Sequence, residues 1–253
     1  MELNKIYNMD CLEGMKLIKD CSVDMILCDL PYGTTRCKWD SIIPLDKLWD
    51  QYERIIKDNG AIVLFAQTPF DKILGCSNLK LLRYEWIWEK TQATGHLNVN
   101  KAPLKAHENI LIFYKKAPTY NPQKTYGHKP INNYTKYIST QNKSELYGKL
   151  SKEINGGGET DRYPRDILVF SSDKQTCNLH PTQKPVALLE YLIKTYTNEN
   201  EIVLDNCMGS GSTAVAAINT NRKYTGFELD KNYYETAVNR INNYQAQYQL
   251  KII

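Results

Sequence analysis

Two short stretches carry the residue types that chemistry needs. In the first, Asp29-Leu30-Pro31-Tyr32, a carboxylate, a proline and an aromatic ring follow directly on the apolar run VDMILC. Proline fixes its own φ, removes an amide donor and pushes the preceding residue toward an extended conformation, so Asp29 and Tyr32 leave the strand end in fixed directions. In the second, EIVLDNCMGSGSTAVAAI, a strand ends at Asp205, a turn carries Gly209 and Gly211, and a helix opens with Ser212 and Thr213. Glycines let a ligand approach the backbone, and the first turn of a helix offers unpaired amides and partial positive charge to an anion. Glu228 stands 19 residues after Gly209, where an acidic side chain accepts hydrogen bonds from ribose hydroxyls in a nucleoside-binding α/β unit.

Gly209, Gly211 and Ala214 also fit the G-x-G-x-x-A form of a dinucleotide fold, and a packing turn without a ligand is the bland alternative. Asp205, at the strand end before the turn, is placed to pair with an ammonium. That favours a nucleoside bearing an amino acid over a pyrophosphate. S-adenosylmethionine has an ammonium, a carboxylate and a ribose, which Asp205, the helix N-terminus and Glu228 would satisfy in turn.

The elements that must position these groups alternate along the chain, as in an α/β sheet. NKIYNMD, SVDMILCD, AIVLFAQTPF running into a polar loop, RYEWIWEK, HENILIFYK, DILVF, EIVLDN and KYTGFELD read as strands. CLEGMKLI, PLDKLWDQYERIIKDNG, PVALLEYLIKTYT, STAVAAINTNR and the closing KNYYETAVNRINNYQAQY read as helices, with the Asn59-Gly60 pair expected at the end of the second. Between 117 and 165 the texture changes to Lys, Tyr, Asn, Thr and Gly with few aliphatics, which cannot build a core. A surface linker has this composition, but interleaved cations and rings are also what a nucleic-acid surface uses to neutralise phosphates and stack on bases.

The totals are consistent with this. The 253 residues are 42% hydrophobic with a net charge of +4, enough apolar content for a sizeable core and mildly favourable to a polyanion. Seven dispersed cysteines with no C-x-x-C pair, and four dispersed histidines, indicate neither a disulfide framework nor a metal site. The N-terminus has no signal-peptide layout and no apolar run approaches about 18 residues. The reading is a reduced, soluble, cytoplasmic protein without membrane association.

Taken together, the motifs resemble those of the amino-methylating DNA methyltransferases, which methylate the exocyclic amines of adenine or cytosine. DLPY resembles the catalytic D/N/S-P-P-Y/F/W signature, DNCMGSGST the cofactor motif D-P-F-x-G-S-G-T, and HPTQKP, His180 to Pro185, the motif that precedes it. The order of catalytic motif, polar region and cofactor motif is similar to the circularly permuted β class, and the general layout to solitary phage or mobile-element enzymes.

The resemblance implies a Rossmann-like, S-adenosylmethionine-dependent methyltransferase sheet of α/β class. Its catalytic half would span 1–116, a target-recognition insert 117–165 and the cofactor-binding half 166–253. Asp10 would contact the cofactor adenine. His180, Thr182 and Lys184 would line the methionine end of the cofactor, and Asn206 and Cys207 stand where the family has Pro-Phe. Leu30 replaces the first proline of the catalytic signature, where the family uses the backbone carbonyl.

The implied reaction is methyl transfer to an extruded base. Asp29 and the Leu30 carbonyl accept the two amine protons, Pro31 holds them rigid and Tyr32 stacks on the ring. Asp29 rather than Ser resembles the adenine-specific members, so N6 of adenine is expected. Arg36 and Lys38 beside the pocket, with Lys124, Lys129 and Lys136 in the insert, are the expected contacts to double-stranded DNA. A homodimer is left open. The alternatives are an N4-cytosine enzyme, an RNA adenine methyltransferase and, last, a non-catalytic DNA-binding module.

Overall fold

VDMILCD, the run leading into Asp29, is buried over its first six residues, and alternate side chains leave it toward opposite faces. Met25 and Leu27 enter one apolar cluster, Ile26 and Cys28 another. A strand covered on both faces needs helices on both, and the computed structural model of the chain has them. It describes residues 1–33, 41–130, 134–136, 154–172 and 183–252, with backbone only for 134–136, 154–156 and 247–252.

The strands are β1 (Lys5–Asn8), β2 (Val23–Asp29), β3 (Ile56–Ala66), β4 (Leu82–Thr94), β5 (Lys105–Phe113), β6 (Tyr134–Lys136), β7 (Ile154–Gly156), β8 (Ile167–Phe170), β9 (Ile202–Asp205) and β10 (Lys223–Glu228). The helices are α1 (Cys11–Lys16), α2 (Leu45–Ile55), α3 (Phe70–Ser77), α4 (Val186–Tyr196), α5 (Ser212–Asn219) and α6 (Lys231–Ile252). Eight strands form one sheet in the order β1-β10-β9-β2-β3-β5-β4-β8. All neighbours pair in parallel except at β5, which is antiparallel to both β3 and β4. Residues of α4, α5 and α6 pack with Met25 and Leu27 on one face, and residues of α1, α2 and α3 with Ile26 and Cys28 on the other.

The two strands that carry the chemistry are neighbours, with Met25 opposite Val203 and Ile26 opposite Leu204. From β9 the chain crosses through α5 to β10 on one side, and from β2 it crosses through α2 to β3 on the other. Strand order therefore reverses between β2 and β9, and a crevice opens beyond their carboxyl ends. Asp29 and Asp205 are the last residues of those strands.

Two local readings are corrected by the structure. The helix read over PLDKLWDQYERIIKDNG stops at Ile55, and Ile56 to Ala66 is strand, so Asn59-Gly60 lies inside β3. Burial decides this: Ile56 turns to extended backbone and packs in the core, while a register shift opposite Val23 and Met25 absorbs the extra residues. A Cβ at Gly60 would lie 2.8 Å from the Asp24 carbonyl oxygen, so this close approach accepts only glycine. The polar loop read after β3 contains the helix α3.

Residues Pro122–Pro164 form a separate compact unit; the rest of the chain, Met1–Asn121 and Arg165–Ile253, forms the other. In the smaller unit β6 pairs with β7, and Thr125 bridges Arg162. Among the described residues no helix is long and apolar enough to cross a membrane, and no group of side chains is arranged to hold a metal ion.

Candidate active site

A cavity of about 1000 Å³ opens at the carboxyl ends of β2 and β9, with Asp29, Tyr32, Asp205, Gly209 and Glu228 in its wall. On its β9 side the Asp205 side chain locks the turn. Oδ1 accepts the Cys207 amide at 3.0 Å and Oδ2 accepts the Thr213 hydroxyl at 2.6 Å. Burial pushes the Asp205 carboxyl up to about 6, with the Thr213 hydroxyl opposing. Gly209 (φ +54) and Gly211 (φ +81) take left-handed conformations, and a Cβ at Gly209 would meet only the Cys207 carbonyl oxygen, at 4.0 Å. The turn leaves room against its backbone, as a cradle for a ligand requires. Gly211, the residue before α5, caps it without a side chain, so its first amides are left to the cavity.

Glu228 closes the other wall. One oxygen accepts the Gly209 amide at 2.7 Å and the other the Asp230 amide at 2.9 Å, fixing both carboxylate oxygens beside the turn with lone pairs to spare. Burial raises its carboxyl above the ordinary range. Asp10 lies at the end of β1 and caps α1, accepting the Leu12 and Glu13 amides through Oδ1. Asn206 is spent on structure: its side-chain oxygen accepts the hydroxyl of the buried Tyr52. Cys207 meets Cys11 and Cys28 at the cavity floor. Burial holds the Cys28 thiol up at about 12, and hydrogen bonding from Cys11 and then Cys28 raises Cys207, so these two thiols are neutral at ordinary pH.

On the β2 side Tyr32 donates its hydroxyl to Asp29 Oδ1 at 2.6 Å, and its ring stacks on Phe70 with centroids 5.3 Å apart. Lys184 donates to Asp29 Oδ2 at 2.5 Å and also contacts Glu108 Oε2 at 3.3 Å. Glu108 in turn accepts from Lys90 at 2.5 Å and from Gln67 at 2.9 Å. The result is a buried row of alternating charge, Asp29, Lys184, Glu108 and Lys90. Burial raises the Asp29 carboxyl, with Lys184 opposing. Burial works against the Lys184 ammonium too, but Asp29 and Glu108 outweigh it and hold it above the ordinary lysine value. Glu108 is kept below the ordinary range because Lys184 and Lys90 outweigh its burial.

The structure thus brings together Asp29, Leu30, Pro31, Tyr32, Asp10, Lys184, Asp205, Asn206, Cys207, Gly209, Ser212, Thr213 and Glu228 around one cavity, with Gly211 capping α5 beside it. Lys184 points at Asp29 rather than at the glycine turn. Ser212 is engaged by Arg240, which donates to its hydroxyl at 2.9 Å. In the smaller unit Lys124 pairs with Asp161 at 2.7 Å and lies over the Tyr163 ring, and the Lys129 carbonyl accepts from Arg162 at 2.5 Å. Lys136 is on β6. Arg36, Lys38, His180 and Thr182 lie outside the described residues.

Glu108, Lys90 and Gln67 were not singled out from the sequence, although a signal for two of them exists. Lys90 continues the alternation of the buried Trp86 and Trp88, and Glu108 that of Ile110 and Ile112, all four apolar residues belonging to one core cluster. A charge at the inward phase of a strand marks a buried ion pair or a site.

A parallel sheet with one reversed strand, a carboxylate at one strand end and a glycine turn with an acidic partner at the next have the layout of a nucleoside-binding α/β fold. Residues 23–239 match the family model described as DNA methylase, and the chain belongs to that family. It is 30% identical over 261 residues to the type II methyltransferase M.BglII of Bacillus subtilis, covering 93% of this chain and 68% of that one. It is 26% identical to the DNA adenine methyltransferase YhdJ of Escherichia coli, covering 99% and 88%. Among solved structures, the M1.HpyAVI–SAM complex superposes with a TM-score of 0.63 at 25% identity over 94% of this chain and 98% of that one. The cytosine-N4-specific PvuII DNA methyltransferase superposes at 0.67, with 16% identity over 92% and 84%, a likeness of fold.

Proposed function

We propose that this protein transfers a methyl group from S-adenosylmethionine to N6 of adenine in duplex DNA. The observation that carries this is one cavity walled by both halves of the chemistry: the rigid Asp29 turn on β2, and the Asp205, Gly209 and Glu228 turn on the neighbouring β9 and β10. The donor set fits the cofactor. Glu228 offers lone pairs to the ribose hydroxyls, the uncapped start of α5 receives the carboxylate, and Asp205 faces the ammonium. S-adenosylmethionine bound there supplies an electrophilic methyl group.

The chain's own residues do the rest. An exocyclic amine is a weak nucleophile because its lone pair is delocalised into the ring. Asp29 and the Leu30 carbonyl accept its two protons and favour a tetrahedral nitrogen whose lone pair is free. The ammonium of Lys184 already sits at hydrogen-bond distance from Asp29 Oδ2, so an N–H donor fits that position; Glu108, 3.3 Å from the same ammonium, holds Lys184 when the amine enters. Tyr32 turns from Phe70 to the extruded base. The proton released after transfer leaves through Asp29, whose raised carboxyl suits an acceptor, to water. Adenine is favoured over cytosine because Asp29 occupies the first position of the catalytic signature, and because a relative named as a DNA adenine methyltransferase matches nearly the whole chain.

Incubation of the pure protein with S-adenosylmethionine and unmethylated duplex DNA, followed by digestion to nucleosides and mass analysis, tests this. N6-methyldeoxyadenosine is the expected product. N4-methyldeoxycytidine would move the assignment to the other base, and methylated nucleosides from RNA alone would move it to RNA.

A pH dependence follows from Asp205. Its ionised form faces the cofactor ammonium, and its carboxyl titrates at about 6 in the free protein. Affinity is therefore expected to be steady above pH 6 and to fall about tenfold per unit below it, and Asp205→Asn should be weak and flat. Titration calorimetry between pH 5 and 8 reads this directly; a wild-type affinity unchanged across that range would remove Asp205 from the ammonium.

A further inference from the structure

Beyond Lys90 and Glu108, the arm formed by β4, β5 and their connection is not used by the chemistry above, and its composition is unusual. From Thr91 to His107 it contains Lys101, Lys105 and two histidines, and no Asp or Glu. Asp29, Phe65, Ile110 and Trp86 share one rung of the sheet, since Asp29 pairs with Phe65, Phe65 with Ile110 and Ile110 with Trp86. From Ile110 to Lys105, where the arm is still paired to Thr94, β5 continues for five residues. The arm therefore rises roughly 17 Å past the catalytic rung. On the way β4 bulges between Glu89 and Thr94, and Lys90 to Thr94 line the cavity.

The tip of the arm is built to keep its shape. Gly95 takes φ +93 and leads into a 3₁₀ turn over His96–Asn98, and the Asn98 carbonyl accepts the Lys101 and Ala102 amides at 2.8 and 3.0 Å. This ordered turn holds Leu97 completely exposed, at 101%, and Val99 at 55%. A preformed apolar point on a carboxylate-free tip, beside a cavity meant for an extruded base, matches a wedge that enters a base stack.

We infer that the 95–105 tip inserts into duplex DNA, with Leu97 and Val99 filling the space left by the flipped base and Lys101 and Lys105 against phosphates. The inference rests on the proposed DNA-methylating function. Charge selects the occupant: a polyanion suits a tip that carries Lys101 and Lys105 and no carboxylate, whereas a second copy or a protein partner would need only the apolar point.

Once the target sequence has been mapped from methylated products, Leu97→Ala/Val99→Ala is compared with wild type on two duplexes. One is fully paired; the other has an abasic site opposite the target base, which removes the pairing that must be broken. The variant is expected to lose 10- to 100-fold in turnover on the paired duplex, at unchanged cofactor affinity, and to come within about threefold of wild type on the abasic one. Equal losses on both duplexes would make the arm a general binding element and overturn the wedge. No loss on either would overturn it also, and self-association removed by the substitution would reassign the tip to a second copy. Absence of DNA methylation by wild type itself would overturn the underlying function, and the wedge with it.

Discussion

Asp29→Ala is expected to bind S-adenosylmethionine within about threefold of wild type while turnover falls on the order of 10³-fold, the scale of losing a preorganised charge-stabilising group. The separation follows from position. Asp29 ends β2, whereas the glycine turn proposed to hold the cofactor is fixed by Asp205 and Glu228 on β9 and β10, neither of which bonds to Asp29. The fold should survive, because Lys184 retains Glu108 as its counter-ion when Asp29 is gone. Calorimetric affinity and single-turnover rate, measured on the same preparation, check the two halves. Parallel loss of both would mean that Asp29 belongs to the cofactor site and that the amine acceptor lies elsewhere.

What could be read from the sequence was local. Asp29 and Asp205 announce themselves because each ends an unbroken apolar run, and Gly209, Gly211 and Glu228 fall at a spacing set by one βαβ unit. What could not be read depends on register and on contacts between distant strands. Asn59-Gly60 looks like a helix end, but the shift opposite Val23 and Met25 carries it into β3. α3 is a short helix, Phe70–Ser77, behind a proline, with little periodicity to reveal it. Lys184 sits in a motif associated with the cofactor, yet its partner is 155 residues away in sequence, across the cavity. Leu97 is invisible as a functional candidate until its exposure is known, since a lone leucine between polar residues is ordinary.

The row Asp29, Lys184, Glu108 and Lys90 makes Lys184→Met the most informative second variant. Lys184 and Glu108 are 8% and 6% exposed and Asp29 22%, so the charges are largely withdrawn from water. Methionine keeps an apolar stem but removes the cation from Asp29 and from over the Phe65 ring; Glu108 still has Lys90. Burial and the Glu108 charge, both of which already raise the Asp29 carboxyl, would then act unopposed by Lys184. The acid limb of the pH–rate profile is expected to move to higher pH, with turnover low at neutrality and recovering as pH rises and Asp29 ionises. Stability should move the other way. A carboxyl whose pKa is higher in the folded than in the unfolded chain favours folding at low pH, and that contribution is lost as pH rises through the folded value. The variant should therefore lose ~3–5 kcal/mol at pH 8, the scale for removing one partner of a buried pair, and less at pH 5. Denaturant melts at the two pH values, read beside the rate profile, test both signs at once. If Lys184 instead serves the cofactor, affinity for S-adenosylmethionine will fall and the acid limb will stay where it is.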